Sequence, residues 1–197
     1  MKFTSILSLG ALASLTSAAD LLNYAANSCS GSAQVYRNVG PNVCTPAIRI
    51  VNGRPVGSRS TAYLNLPGNA VAVQWLGTRT TANCGTVLGA LARSGSFCGN
   101  AGQEYAGSSW TTRGAARRQV AAEVEEAAGE VVDVNGPAPA GVKCEKTVQP
   151  DAVILADKSE YEIKDLAPEK VDQLLSLAFD GAKAEDIPQE FAQYQSK

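Results

Sequence analysis

Histidine is absent from all 197 residues. That absence removes Ser-His-Asp and Cys-His nucleophilic catalysis, histidine-driven cleavage of RNA, and most catalytic zinc sites. An enzyme built from this chain would have to work with carboxylates, lysine, tyrosine or serine. No Asn-x-Ser/Thr sequon occurs, so N-glycosylation is not expected. No apolar run reaches the about 20 residues needed to cross a bilayer as a helix. The C-terminal QEFAQYQSK does not resemble a lipid anchor or a retention signal.

The apolar run that is present lies at the start. Lys2 supplies a positive end, FTSILSLGALASL an apolar centre, and Thr16, Ser17 and Ala18 the small residues a signal peptidase reads. This pattern predicts a signal peptide over residues 1–18, cut after Ala18 or Ala19, and a secreted, extracellular product. The remainder is long enough for one domain with a real core or for two small ones.

Five cysteines follow the leader. In an exported chain Cys29, Cys44, Cys84 and Cys98 predict two disulfides, with three pairings open. The matched spacings, 15 from Cys29 to Cys44 and 14 from Cys84 to Cys98, mildly favour local pairs, each worth about 3 kcal/mol in a chain-entropy account. Cys144 is the odd one, free or bonded between molecules. With no Cys or His near it in sequence, a metal-ligand role is not expected.

Charge is partitioned. Residues 20–118 hold nine arginines, no lysine and only two carboxylates, a balance of +7; residues 119–197 hold seven lysines, no arginine and seventeen acids, a balance of −10. This predicts two modules that attract each other across a flexible connection, an attraction that salt screens. The basic module, 20–114, reads as β. Alternation suggests strands at 34–39, 47–51, 60–66 (Ala62, Leu64 and Leu66 on one side), 70–76, 86–91 and 108–112, with turns at Asn52-Gly53 and Pro67-Gly68-Asn69. Short strands between frequent Gly and Pro turns indicate a small disulfide-held sandwich or barrel. Residues 115–150 read as an Ala/Glu helix, disfavoured by its own end charges, and then a Gly/Pro linker. Residues 151–197 read as a small acidic α+β module. A hairpin of 152–156 and 160–164 precedes a helix opened by Pro168, striped by Val171, Leu174, Leu175, Ala178 and Phe179, and ended by Gly181; a short turn with Phe191 and Tyr194 closes it.

Candidate sites are few. Arg117-Arg118 matches a dibasic processing site and equally a solvated pair on a helix; Arg113 to Arg118 also forms a weak basic patch. The arginines are spread singly, unlike the clustered cations and stacking aromatics of a nucleic-acid groove, so nucleic acid is not an expected partner. Glycoside hydrolysis needs two carboxyl groups about 5 to 9.5 Å apart, and in the basic module Glu104 stands without a second. Trp75 and Trp110 sit within alternating strands and read as core. No catalytic residue, metal or cofactor is assigned.

The leader MKFTSILSLGALASLTSA, the cysteine block from SCSGSAQVYRNVGPNVC to NCGTVLGALARSGSFC, and the dibasic ARRQ together resemble the small secreted, cysteine-containing effector-like proteins of filamentous fungi, especially plant-associated ascomycetes. The resemblance spans roughly residues 1 to 118 and does not extend to the acidic tail. It implies a non-enzymatic protein that binds a host protein, cell-wall or other anionic component and modulates plant immunity, in the apoplast or after entry into host cells, including the nucleus. Two other readings stand beside it: a processed toxin or antimicrobial protein with an acidic pro-piece, and a cell-wall carboxylate hydrolase.

The leader yields the first test. Deleting Met1 to Ala18 should abolish export, read as loss of the protein from the culture medium with retention in the cell. Unchanged export of the truncated chain would refute the signal peptide.

Overall fold

The computed structural model describes residues 18–51, 54–77, 84–113, 131–136 and 141–196. Most of the leader, Arg117-Arg118 and the expected Ala/Glu helix lie outside the described residues. Fourteen strands are described, in the order β1 (Ala19–Tyr24), β2 (Ala33–Val39), β3 (Val43–Pro46), β4 (Arg49–Val51), β5 (Arg54–Val56), β6 (Ser58–Leu66), β7 (Ala70–Leu76), β8 (Thr86–Ala92), β9 (Gly95–Tyr105), β10 (Gly107–Thr112), β11 (Val131–Asp133), β12 (Lys146–Thr147), β13 (Ala152–Ile154) and β14 (Glu160–Glu162). One α-helix follows, α1 (Pro168–Phe179). Among the described residues, seven strands form one sheet in the order β11-β9-β6-β1-β2-β13-β14 and five form a second in the order β12-β3-β10-β7-β8; β4 and β5 pair as a ribbon. The protein is therefore mainly β, as its sequence suggests.

The two sheets share a core. Leu21, Tyr36, Tyr63 and Phe97 from the larger sheet pack with Val43, Ala70, Ala72 and Trp110 from the smaller. Trp75 and Trp110 are both buried. The side of β6 that carries the core is not the one its apolar letters suggest. Thr61 and Tyr63 are fully buried, while Ala62 and Leu64 are only half-buried. Asn65 then adopts a left-handed φ of 60°, the register against β9 shifts between Tyr63 and Leu66, and Leu66 joins Tyr63 in the core cluster. A bulge of this kind resets which side chains face inward.

Polar groups cross the same interior. Trp110 Nε1 donates to the Val39 carbonyl at 2.8 Å, Tyr63 OH to the Val73 carbonyl at 3.0 Å, and Gln74 Nε2 to the Gly99 carbonyl at 3.0 Å. Asn23 is fully buried between the layers. Its Nδ2 donates to the carbonyls of Thr45 and Pro46 at 3.3 and 3.2 Å and to Thr45 Oγ1 at 3.3 Å. Its Oδ1 accepts from Ser108 Oγ at 2.7 Å, Tyr105 OH at 3.1 Å and Thr61 Oγ1 at 3.2 Å.

Two sequence expectations need correction. The segment expected to be linker supplies edge strands to both sheets. β11 runs parallel to β9, with Val131 opposite Cys98, and β12 runs parallel to β3, with Thr147 opposite Cys44. Val132 and Val134 turn inward from this segment, and glycines make room for it: a Cβ on Gly89 would lie 1.9 Å from the Val134 carbonyl oxygen. Gly and Pro richness here reflects close backbone approach, which a turn count does not distinguish from a linker. Second, the acidic C-terminal segment is joined edge to edge with the rest. Asp151 N donates to the Val35 carbonyl at 2.8 Å, and β13 pairs with β2 on one side and β14 on the other. The exposed edge of β2 offers backbone groups that a further strand satisfies.

The C-terminal elements otherwise follow their sequence signals. α1 begins at Pro168, and Gly181 adopts a φ of +90° just beyond it. Leu174, Leu175 and Ala178 pack with Val153, Tyr161, Ile163 and the buried Phe191. Ala19 is buried and pairs with Val39; a cut after Ala18 leaves β1 whole, whereas a cut after Ala19 removes its first core residue. No helix of the described residues is long and apolar enough to cross a membrane.

Asn23→Leu should destabilise the fold by about 3 kcal/mol or more, because it removes the buried hydrogen bonds to Thr45, Pro46, Thr61, Tyr105 and Ser108 together. Urea unfolding is the measurement: the midpoint should fall with the slope unchanged, and a loss under about 1 kcal/mol would deny Asn23 its central role.

Candidate functional site

A cleft of about 580 Å³ opens where the end of β2 meets the C-terminal segment. Tyr36, Val39 and Val43 from β2 and β3 line it on one side, with Ile163, Leu166 and Val171 from the C-terminal segment and α1 on another. Lys146 and Val148 from β12 and the residue following it form a third wall. Arg37, Lys146, Lys164, Asp151 and Asp172 bring charge to an otherwise largely apolar lining.

One of these carboxylates also organises the fold. Asp151 Oδ2 accepts from the Arg37 backbone N–H at 2.8 Å. The Asp151 carbonyl accepts from Ile163 N at 2.9 Å and from Lys164 N at 3.2 Å. Lys164 Nζ lies 4.0 Å from Asp151 Oδ1. Burial, with the Asp151 charge second, pushes the Tyr36 phenol far above its usual range, so Tyr36 stays neutral and donates to the Pro46 carbonyl.

Arg37 carries the one contact between the arginine-rich and acid-rich halves that the described ion pairs record. Its Nη1 and Nη2 grip the two carboxylate oxygens of Glu162 at 2.9 and 3.0 Å, and Nη2 also pairs with Glu160. The hydrogen bond from Arg37 is the main reason the Glu162 carboxyl is held below the usual range, with the Arg37 charge assisting. Direct, bidentate pairing from β2 across β13 to β14 thus replaces the diffuse attraction across a flexible linker that the charge partition suggests. Arg59 Nη2 lies 3.5 Å from Glu104 Oε1, and Arg93 stacks over Phe97 at 5.2 Å. Arg113 donates its backbone N–H to Asn69 at 2.8 Å. Glu104, the carboxylate singled out from sequence, is exposed and outside the cleft. Asp151 and Asp172, which the cleft brings together, were hidden in sequence among the many acids of the tail.

The disulfides cross the fold. Cys29 bonds Cys98 and Cys44 bonds Cys84, which corrects the local pairs favoured by spacing. Sheet order is the reason. The Cys29 backbone N–H donates to Ser60 Oγ at 2.9 Å on β6, and β6 pairs directly with β9, where Ala62 faces Cys98. A loop beside one edge of β6 therefore reaches β9 across it, however distant in sequence. Cys144 is a free, half-buried thiol, and burial pushes its pKa up to about 12. It is not isolated: the sulfurs of Cys44, Cys84 and Cys144 all lie within 4.8 Å of one another. While Cys44 and Cys84 are bonded together, neither presents the thiolate that a metal site requires.

Residues 20–151 match the family ARB_05566_N, described as an N-terminal domain. This chain belongs to that family. The ARB_05566_N match begins at the second residue of β1 and ends at Asp151, so β13, β14 and α1 lie beyond it while the cleft draws its walls from both sides. A protein of the fungus Arthroderma benhamiae described as "Uncharacterized secreted protein" is 24% identical over 195 residues, covering 94% of this chain and 88% of its own length. No solved structure matches the chain.

The Arg37–Glu162 pairing makes a pH-dependent prediction. A carboxyl held low in the folded state stabilises it above its ordinary pKa near 4.5 and ceases to do so as pH falls through the lower folded value. Thermal melts of the native chain and Arg37→Gln should differ at pH 6 and converge below pH 4.5. The pair is about half exposed on the Glu162 side, so the difference should stay at about 1 kcal/mol or less. A gap that widens in acid would contradict the assignment.

Proposed function

We propose that this chain is an exported protein of effector-like kind that acts by binding, using the cleft between β2, β12 and α1 to hold a host or cell-wall component. The cleft carries this reading. Its apolar lining of Val39, Val43, Val148, Ile163, Leu166 and Val171 suits burial of an apolar side chain or ring, while Lys146, Lys164 and Asp172 fix a polar flank. Export is supported by the leader pattern, by two disulfides of the sort retained outside the cytosol, and by the relative whose name calls it a secreted protein. Plant immunity as the target comes from the resemblance of the leader and cysteine block to fungal effector-like proteins.

Infiltration of the purified chain into plant leaves, with an immune output such as the oxidative burst as readout, tests this reading. The native chain should alter the output. Val171→Arg and Lys146→Glu should lower its potency about tenfold each, the size expected for loss of about 1.4 kcal/mol of binding, with the melting temperature of Lys146→Glu unchanged. No change in the leaf, combined with release of sugars from wall polysaccharide, would favour the hydrolase reading; no change combined with growth inhibition of microbes would favour the antimicrobial one.

A further inference from the structure

Cys144 stands beside a disulfide that its sequence position does not suggest. β12 lies parallel to β3, Glu145 N donates to the Asn42 carbonyl at 2.8 Å and Val148 N to the Cys44 carbonyl at 3.1 Å. These bonds begin at the residue after Cys144 and hold its segment along the strand that carries Cys44. Its thiol packs with Cys84, Val87 and Val142 against Val71, Val73, Trp75 and Ala90 of β7 and β8. The three sulfurs fall within 4.8 Å of one another. Among the described residues this is the one cluster of its kind, and the Cys29–Cys98 bond has no third sulfur in it.

We propose that Cys44, Cys84 and Cys144 form a thiol–disulfide exchange site, in which Cys144 displaces Cys84 from Cys44 and the protein interconverts between two covalent forms. The Cys144 thiol loses its proton and the resulting thiolate attacks Cys44 Sγ. The Cys44–Cys144 bond forms as the Cys44–Cys84 bond breaks. The bonding electron pair leaves on Cys84 Sγ, which takes up a proton. One disulfide and one thiol enter and one of each remain, so no oxidant or reductant is consumed.

Burial assigns the roles. Cys44 is fully buried, so a thiol from solvent has poor access to it, whereas Cys144 approaches from within. Cys84 is half-buried and lies two residues before β8, so it is the sulfur positioned to leave. The exchange moves one end of the cross-link from the approach to β8, one edge of the smaller sheet, to the approach to β12, the other edge. β12 also forms a wall of the cleft through Lys146, but the proposal stands whatever the cleft binds.

The high pKa of the Cys144 thiol, about 12, makes the step slow at neutral pH and faster in base. The charged groups flanking it on its own segment, Lys143 and Glu145, pair with each other at 3.7 Å. The residues packed around it from β7 and β8 are Val71, Val73, Trp75, Val87 and Ala90, none of which titrates. Its titration therefore follows burial.

The test is disulfide mapping of the full exported chain. Protein is incubated at pH 7 and pH 9, quenched in acid, alkylated without reduction, digested and read by mass spectrometry. Peptides joining Cys44 to Cys144, with Cys84 alkylated, should appear about 100-fold faster at pH 9, tenfold per unit of pH below the thiol pKa. Cys29–Cys98 should stay intact. In Cys84→Ser incubated with oxidised glutathione, which takes up the two electrons, Cys44 and Cys144 should join completely; the mapping of the native chain decides the matter even if that variant does not fold. Alkylation of Cys144 alone at both pH values, a bond from Cys144 only to another molecule, or equal scrambling of Cys29–Cys98 would each overturn the proposal.

Discussion

The fully buried carboxamide of Asn23 is the constraint around which the two sheets are arranged. An amide in an apolar interior costs several kcal/mol unless its donors and acceptor are all met. Here they are met from β3, β6, β9 and β10 at once. The requirement is directional, unlike burial of Leu21 or Tyr36 beside it. Thr61 and Tyr105 hold Asn23 from within its own sheet, and sliding either sheet along the other would part it from Thr45, Pro46 and Ser108 of the smaller one. Hydrophobic packing brings the sheets together, and this network fixes their relative register.

The same network explains which parts of the fold were legible in sequence. The C-terminal hairpin and α1 were, because local signals suffice there: Pro168 at the first turn, an apolar stripe at helical spacing, and Gly181 in a left-handed conformation. β2, β7 and β10 were visible as alternating strands. β1 was not, since its inward face includes Asn23 and its first residue abuts the expected cleavage site. β9 was not, since three glycines interrupt it and one of them, Gly99, faces Val134 closely enough that a Cβ would lie 2.7 Å from that side chain. β6 was found but turned over, because buried Thr61 and half-buried Leu64 reverse the ordinary hydrophobic sign. Where the core is polar, alternation of apolar letters points the wrong way.

Covalent topology was less legible still. Cysteine spacing reports contour length, whereas pairing reports sheet order, and the order β9-β6-β1-β2 brings residues 69 apart in sequence into bonding range. Longer loops also restrict the unfolded chain more: closures of this length correspond to about 4 kcal/mol each, against about 3 for the local pairs. The neighbourhood of Cys144 depends on the parallel pairing of β12, two residues long. Nothing in a two-residue strand marks it in advance, and so the third sulfur of the cluster was invisible until the fold was known.

The cleft follows from the same edge chemistry. β2 would be a free edge of the larger sheet if the chain stopped at Asp151, where the family match also ends. β13 covers that edge, and the covering is fastened at two points on β2, two residues apart: Val35 O receives Asp151 N, and the Arg37 backbone N–H reaches the Asp151 carboxylate. Arg37 then clamps Glu160 and Glu162 on β14. The opposite charges of the two halves therefore act at contact range, where salt screens them less than it screens charges separated by a Debye length. Because β13 extends the sheet sideways while α1 packs across β2 and β13, α1 and the smaller sheet stand next to each other over one continuous surface. Their side chains do not close the space between them, and that gap is the cleft. Its shape is a consequence of how the C-terminal segment attaches, so residues that secure the attachment, Arg37 and Asp151, position the walls of the site.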